Sequence, residues 1–337
     1  MKLILIVITM IFSINCFAAE KIKLIYDNDA APDDVMALIY LAHQPNISIE
    51  GITIAATGEA DRLIGAKNIA DLCYLLGKPT IQIAYGNEKP NDPFVHPFPG
   101  FIRESANKIF VGKNVPHNPH PQISNSAVEL IKRIIIKNDK ISILATGPLT
   151  NIAEFIEKYP SLKNKIDKIV IMGGAVHVPG NIQVLDPKSD NTVAEWNIYV
   201  DPKAAEIVFS SGIPITLVPL DATNQVPMTK EFYDNLSQQS QPDLKLIYLL
   251  LKDIVDDLGL DTFLNNFYLW DPLAAIIVND SSRALTEPLP ITININTAQT
   301  KHVNHTNHNL AIINVATKVP DATLVLTRFI DKIKQNG

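Results

Sequence analysis

Residues 23–43 read KLIYDNDAAPDDVMALIYLAH. The apolar run at 23–26 is a short strand that ends in acids. From Asp33 to His43 the apolar residues recur at helical spacing, with two acids at the start, where the helix dipole favours them. Only Ala30-Ala31-Pro32 separate the two acid pairs, so the stretch is a tight strand-to-helix turn. Outward from it the alternation continues. Strands are expected at 47–55, 80–84, 141–144, 168–172 and 215–218. Helices are expected at 61–77, 125–138, 148–159, 202–210, 229–239, 244–258 and 321–334, with a short buried helix at 271–278. Residues 290–297 and 311–315 read as antiparallel strands. Residues 85–122 hold seven prolines and little periodicity, and read as one long loop. A second polar loop follows the 168–172 strand and runs to Val200. The pattern predicts an α/β, Rossmann-like fold, a mainly parallel central sheet wrapped by helices, with a small antiparallel C-terminal strand region. Ligands of such sheets bind beyond the carboxyl ends of the strands, so the chemistry is sought there.

With 47% hydrophobic and 19% charged residues over 337 positions, the chain is neither disordered nor collagen-like. Its 29 basic and 35 acidic residues give a net charge of −6, which argues against a nucleic-acid partner. Lys2, the apolar run at 3–14 and the small residues after Cys16 read as a secretory leader cleaved after Ala18. The expectation is a signal peptide at 1–18 and a single domain at 19–337, exported to the periplasm or secreted. No later stretch is long and apolar enough for a membrane span. Cleavage removes Cys16 and leaves Cys73 alone, so no intrachain disulfide is expected.

The strongest chemical signal is Asp27-Asn28-Asp29-Ala30-Ala31-Pro32-Asp33-Asp34, four carboxylates within eight residues. Packed carboxylates repel unless a cation neutralises them, and hard oxygen ligands suit Ca²⁺ or Mg²⁺. Helix capping accounts for Asp33 and Asp34 but not for Asp27 and Asp29. An EF-hand fails, since Pro32 and Leu38 stand where Gly and Glu are required. A Mg-dependent phosphatase with Asp27 as nucleophile stays open. Other strand ends carry Thr146-Gly147-Pro148, Met172-Gly173-Gly174, Asn181, Glu195-Trp196-Asn197, Asp221 and Trp270-Asp271-Pro272. Carboxylates, amides and indoles together suit a sugar and a flat base. His302, His305 and His308 have no accompanying carboxylate or cysteine and read as an exposed loop rather than a metal site.

In this order and spacing the motifs resemble the nucleoside hydrolase family, calcium-dependent enzymes that cleave the N-glycosidic bond of ribonucleosides. The family signature is Asp-x-Asp-Pro-Gly-x-Asp-Asp. All four acids match, while Ala30-Ala31 replace Pro-Gly. The resemblance covers nearly all of the chain after the leader. It implies that Asp29 is the catalytic base and a calcium ligand, with Asp34, Asp271 and the Thr146 carbonyl completing the Ca²⁺ site. It implies that Asp33, Asn181, Glu195 and Asn197 hold the ribose and that Met172 lines the pocket. Asp27 would support the site from behind, with Glu59 a further supporting group. Trp270 stands where pyrimidine-accepting members have His, and Trp196 where others have Phe. Both resemble the purine-preferring inosine–adenosine–guanosine branch, in which indoles stack on the base. A third stacking Trp expected at 93–103 is absent, with Phe101 or Ile102 in its place. Family members are dimers or tetramers, so a homo-oligomer acting on a small nucleoside is expected. An exported nucleoside-binding protein without catalysis and the Mg-dependent phosphatase using Asp27 are the alternatives.

Overall fold

A computed structural model describes residues 21–89, 96–303 and 311–336. The expected leader, His305 and His308 lie outside the described residues. The strands are β1 (Ile22–Asn28), β2 (Ile47–Ile54), β3 (Ile83–Tyr85), β4 (Ile123–Ser124), β5 (Ile141–Ala145), β6 (Ile166–Met172), β7 (Ile215–Val218), β8 (Leu285–Asn294), β9 (Gln299–His302) and β10 (Ile312–Lys318). Among the described residues they form one sheet in the order β4-β3-β2-β1-β5-β6-β7-β10-β8-β9. Pairing is parallel from β4 to β7 and between β7 and β10, then antiparallel through β8 and β9. The mainly parallel sheet with an antiparallel C-terminal region is thus as the sequence implies.

Side chains along β1 alternate between the two faces, as a strand's period of two requires. Leu24 and Tyr26 join one buried apolar cluster, and Ile25 joins the other. With both faces covered, the central strands are apolar throughout. The helix Pro32–Ala42 is buried continuously from Asp34 to Leu41. It packs against the helices Pro242–Leu258, Trp270–Asn279 and Ala322–Asn336. An all-round apolar sequence such as Val35-Met36-Ala37-Leu38-Ile39 suits that sandwiched position.

The chain leaves β1 toward β2, β3 and β4, then returns to build β5, β6 and β7 on the other side of β1. The carboxyl end of β1 is therefore a topological switch point, where the loops part and leave a crevice. The acid turn sits there. Asp27 lies level with Thr53 of β2 and Ala145 of β5.

Two parts of the sequence reading need correction. Residues 85–122 contain a helix, Gly100–Asn107, and run directly into the short strand β4. That helix is polar on average, buries only Ala106 fully and follows a proline-rich stretch, so it is easily read as loop. The stretch read as polar loop up to Val200 contains two short helices, Ile182–Leu185 and Trp196–Val200. Both are too short to carry a legible period, and tertiary packing stabilises them. The helix Leu260–Asn266 and strand β9 were likewise not foreseen.

Candidate active site

The turn after β1 is held by its own main-chain N–H groups donating to side chains of the same segment. Ala30 has a φ of 62°, the left-handed region that costs a non-glycine residue about 1–2 kcal/mol. The Ala30 N–H donates to Asn28 Oδ1 at 3.1 Å, which offsets part of that cost. Proline, the residue of the resembled signature, is locked near −65° and has no N–H, so this chain builds the turn differently. Pro32 opens the helix, and Asp34 Oδ2 accepts the Ala31 N–H at 2.8 Å.

Asp34 is further fixed at Oδ1, which accepts the Tyr26 hydroxyl at 3.0 Å and also the Thr146 hydroxyl. Ligand oxygens of Asp33, Asp34 and Asp271 lie within 4.8 Å of one another. Asp34 and Asp271 are buried, and Asp33 is partly exposed at the opening. Asp29, buried beside them, takes the Glu59 N–H on Oδ2 at 3.0 Å. Asp27 points to the opposite face of the sheet. Its Oδ1 accepts the Thr53 hydroxyl and the Asn151 amide, while Oδ2 is buried with no partner.

Burial and mutual repulsion push these acids upward. Burial raises the Asp29 carboxyl well above its ordinary value, and the charge of Asp34 adds to it. Asp271 rises for the same reason, with Asp33 and Asp34 as its charged neighbours. Burial lifts Asp33 to about 7, helped by Asp34, and lifts Asp27 to about 7 against the hydrogen bonds of Asn151 and Thr53. Glu59 rises through burial and the charges of Asp33 and Asp34, opposed by Arg103. A set of all-oxygen donors this close, costly to ionise alone, fits a hard divalent cation, whose charge reverses the penalty.

The second wall comes from β5, β6 and the loop after β6. Asn197 Nδ2 donates to the Thr146 carbonyl at 2.9 Å and to the Met172 carbonyl at 3.3 Å, tying the two strand ends together. Glu195 caps the helix Trp196–Val200, accepting the N–H of Asn197 at 2.9 Å and of Ile198 at 3.2 Å. It also accepts the Gly174 N–H at 2.8 Å. Asn181 Oδ1 takes the Trp196 N–H at 3.1 Å. Asp221 accepts the N–H groups of Val176 and His177 and so orients the same loop.

The two indoles are placed less simply. Trp196 is buried and stacked on Phe98, with ring centroids 4.8 Å apart. Trp270 opens the helix that carries Asp271 and tilts against Phe267 at 5.6 Å and Tyr268 at 5.9 Å. Both indole N–H groups are buried with no partner. His302 meets His177 edge-on at 5.4 Å.

Tyr26, Thr53 and Arg103 belong to this site although the sequence did not single them out. Tyr26 and Thr53 read as ordinary strand residues until β1 and β2 are paired. Arg103 lay in the segment read as loop.

A family model described as inosine-uridine preferring nucleoside hydrolase matches residues 24–326. The chain is 35% identical over 212 residues to a pyrimidine-specific ribonucleoside hydrolase RihA of Salmonella enteritidis PT4 (strain P125109). That match covers 60% of this chain and 62% of the relative, so the chain spans about three fifths of that protein's length. It is 32% identical to uridine nucleosidase 1 of Arabidopsis thaliana over 263 residues, 76% of this chain and 73% of the relative. Among solved structures, a purine-preferring ribonucleoside hydrolase from Gardnerella vaginalis superposes with a TM-score of 0.76 at 28% identity, covering 93% of this chain and 98% of that one. With the acid turn at the switch point of the sheet and a family match over most of its length, this chain belongs to the inosine-uridine preferring nucleoside hydrolase family.

Proposed function

We propose that the chain hydrolyses the N-glycosidic bond of ribonucleosides, giving ribose and a free base. The observation that carries this reading is the position of Asp29. Its carboxylate is anchored at one oxygen by a main-chain N–H, next to the Asp33, Asp34 and Asp271 cluster at the sheet's switch point. Asp29 accepts the proton of the attacking water as the water oxygen bonds to C1′ and the C1′–N bond breaks. The surrounding carboxylates stabilise the oxocarbenium-like charge that develops on the sugar. Asp33, Asn181, Glu195 and Asn197 would hold the ribose hydroxyls, with Met172 lining the pocket. Calcium, bound by Asp29, Asp34, Asp271 and the Thr146 carbonyl, would neutralise the cluster and make the water more acidic. Asp27 acts through Asn151 and Thr53 from behind the strand. The departing base takes its proton from solvent.

We further infer a preference for purine nucleosides, supported by Trp270 beside Asp271. An indole N–H only donates and does not titrate near neutrality, so it cannot serve as the acid for a pyrimidine leaving group. Uridine is the second substrate to weigh, since two relatives are named for pyrimidine or uridine.

The test is release of reducing sugar from inosine, adenosine, guanosine, uridine and cytidine, beside phosphate release from a simple phosphate ester. Ribose from the purine nucleosides, with a higher kcat/KM for inosine than for uridine, is expected. Phosphate release without ribose would favour a phosphatase, and nucleoside binding without turnover a binding protein. Equal values for inosine and uridine would remove the purine preference. Export is proposed as well: the secreted protein should begin at or near Ala19, and an intact Met1 on it would contradict this.

A further inference from the structure

We propose that Arg103 is a positioning residue for Asp29, acting through a single peptide group; the proposal rests on the hydrolytic reading above. Arg103 lies on the helix Gly100–Asn107 and donates from Nη1 to the Gly58 carbonyl. The N–H of that same peptide belongs to Glu59 and donates to Asp29 Oδ2 at 3.0 Å. In a trans peptide the C=O and N–H point in opposite directions, so one planar unit is held between a guanidinium and a carboxylate. The cation at the carbonyl polarises the amide and strengthens the donation at its other end.

Both ends of this unit are fixed by further contacts. Arg103 Nη2 pairs with Asp61 Oδ1 at 2.8 Å, and its side chain is only 21% exposed. Asp61 is in turn held by Asn107, through Asn107 Nδ2 to Oδ2 at 2.8 Å and the Asp61 N–H to Asn107 Oδ1 at 2.9 Å. On the inner side, the Ala60 N–H donates to the Asp29 carbonyl at 3.1 Å and the Ala55 N–H to the Asn28 carbonyl at 2.7 Å. There is no room for play: a Cβ on Gly58 would overlap the Asp29 carboxylate. With Oδ2 held in this way, the orientation of the Asp29 carboxylate toward its acidic neighbours is fixed.

The same stretch of chain reaches the other wall. His96 stacks on Tyr199 with centroids 4.1 Å apart, and Phe98 stacks on Trp196, on either side of Asn197. Residues 96–107 therefore brace the catalytic acid at one end and the ribose-side helix at the other.

Lysine cannot replace the arginine fully. Its ammonium is a single point, whereas the guanidinium fork meets a carbonyl and a carboxylate at once. The experiment compares wild type, Arg103→Ala, Arg103→Lys and Asp61→Asn for inosine hydrolysis, with thermal melting as the folding control and guanidinium chloride at low millimolar concentration as a rescue agent. The expected result is a fall in kcat of about 10–100-fold for Arg103→Ala with KM changed less than about threefold, since misplacing a catalytic group costs rate rather than binding. Arg103→Lys should fall between, Asp61→Asn should lose less, and guanidinium should restore part of the Arg103→Ala rate. Should Arg103→Ala fail to fold, Asp61→Asn and Arg103→Lys carry the same kcat and KM comparison. A kcat within twofold of wild type in the folded variants would overturn the proposal, as would a loss confined to KM. Absence of ribose release by the wild type would overturn the hydrolytic reading itself and this proposal with it.

Discussion

Residues 27–34 place four carboxylates in eight consecutive positions, fixed by hydrogen bonds within the turn and by distant partners such as Glu59, Thr146 and Asn151. Residues 96–107 reach the same site only through partners far off in sequence. Arg103 meets Ala56 and Asp61, 47 and 42 positions earlier, and Phe98 meets Trp196 on another helix. The first region carries its chemistry in contiguous residues and the second supplies position through tertiary contacts. On the proposed reading the difference separates what the reaction needs from what sets its efficiency, and substitutions in the two regions should fail in different ways.

The largest effect is expected at Asp29. Asp29→Ala should remain folded and lose hydrolysis by about 10³–10⁴-fold, because on the proposed reading it removes the proton acceptor as well as a metal ligand. Thermal melting and ribose release check the two halves of that statement, and near-normal turnover would remove Asp29 from its role. The second effect concerns the turn itself. Restoring the proline of the resembled signature by Ala30→Pro should destabilise the protein by about 3 kcal/mol, since proline cannot reach a φ of 62° and loses the N–H bonded to Asn28. A melting temperature equal to or above wild type would show that the turn can refold into the signature's geometry.

Where the two regions meet, Gly58→Ala should lower kcat by about 10²-fold by displacing the Asp29 carboxylate. If kcat is retained, the peptide between Arg103 and Asp29 is not a rigid brace. The smallest effect lies furthest from the acids. Phe98→Leu keeps an apolar side chain but gives up the ring stack on Trp196, at a cost of about 1 kcal/mol in stability. Its kcat/KM for inosine should stay within a few-fold of wild type. A large selective loss for purines would instead make Phe98 part of the base site.

The legibility of the sequence follows the same division. The acid turn is readable because strand, acids, Pro32 and helix are contiguous, and the positions of β1, β2, β5, β6 and β7 along the chain follow from their apolar runs. Asp271 and Glu195-Trp196-Asn197 were legible as motifs at strand or helix ends. Their surroundings were not. That Trp196 is stacked on Phe98, or that Asn197 ties Thr146 to Met172, depends on pairs separated by 98, 51 and 25 positions. The helix Gly100–Asn107 is not legible because it is short, polar on average and set among prolines, with Arg103 and Asn107 holding it through distant Asp61. Ala30 was recognised as a departure from the signature, but its left-handed backbone was not, since alanine carries no marker for that conformation.

The most direct test of the central claim measures ribose and free base released from inosine by the full chain in three conditions: as purified, after exhaustive chelation, and after return of Ca²⁺. The clustered Asp33, Asp34 and Asp271 with the anchored Asp29 predict equimolar ribose and hypoxanthine, abolition on chelation and recovery with calcium. Undiminished release after chelation, or no ribose in any of the three conditions, would contradict the account.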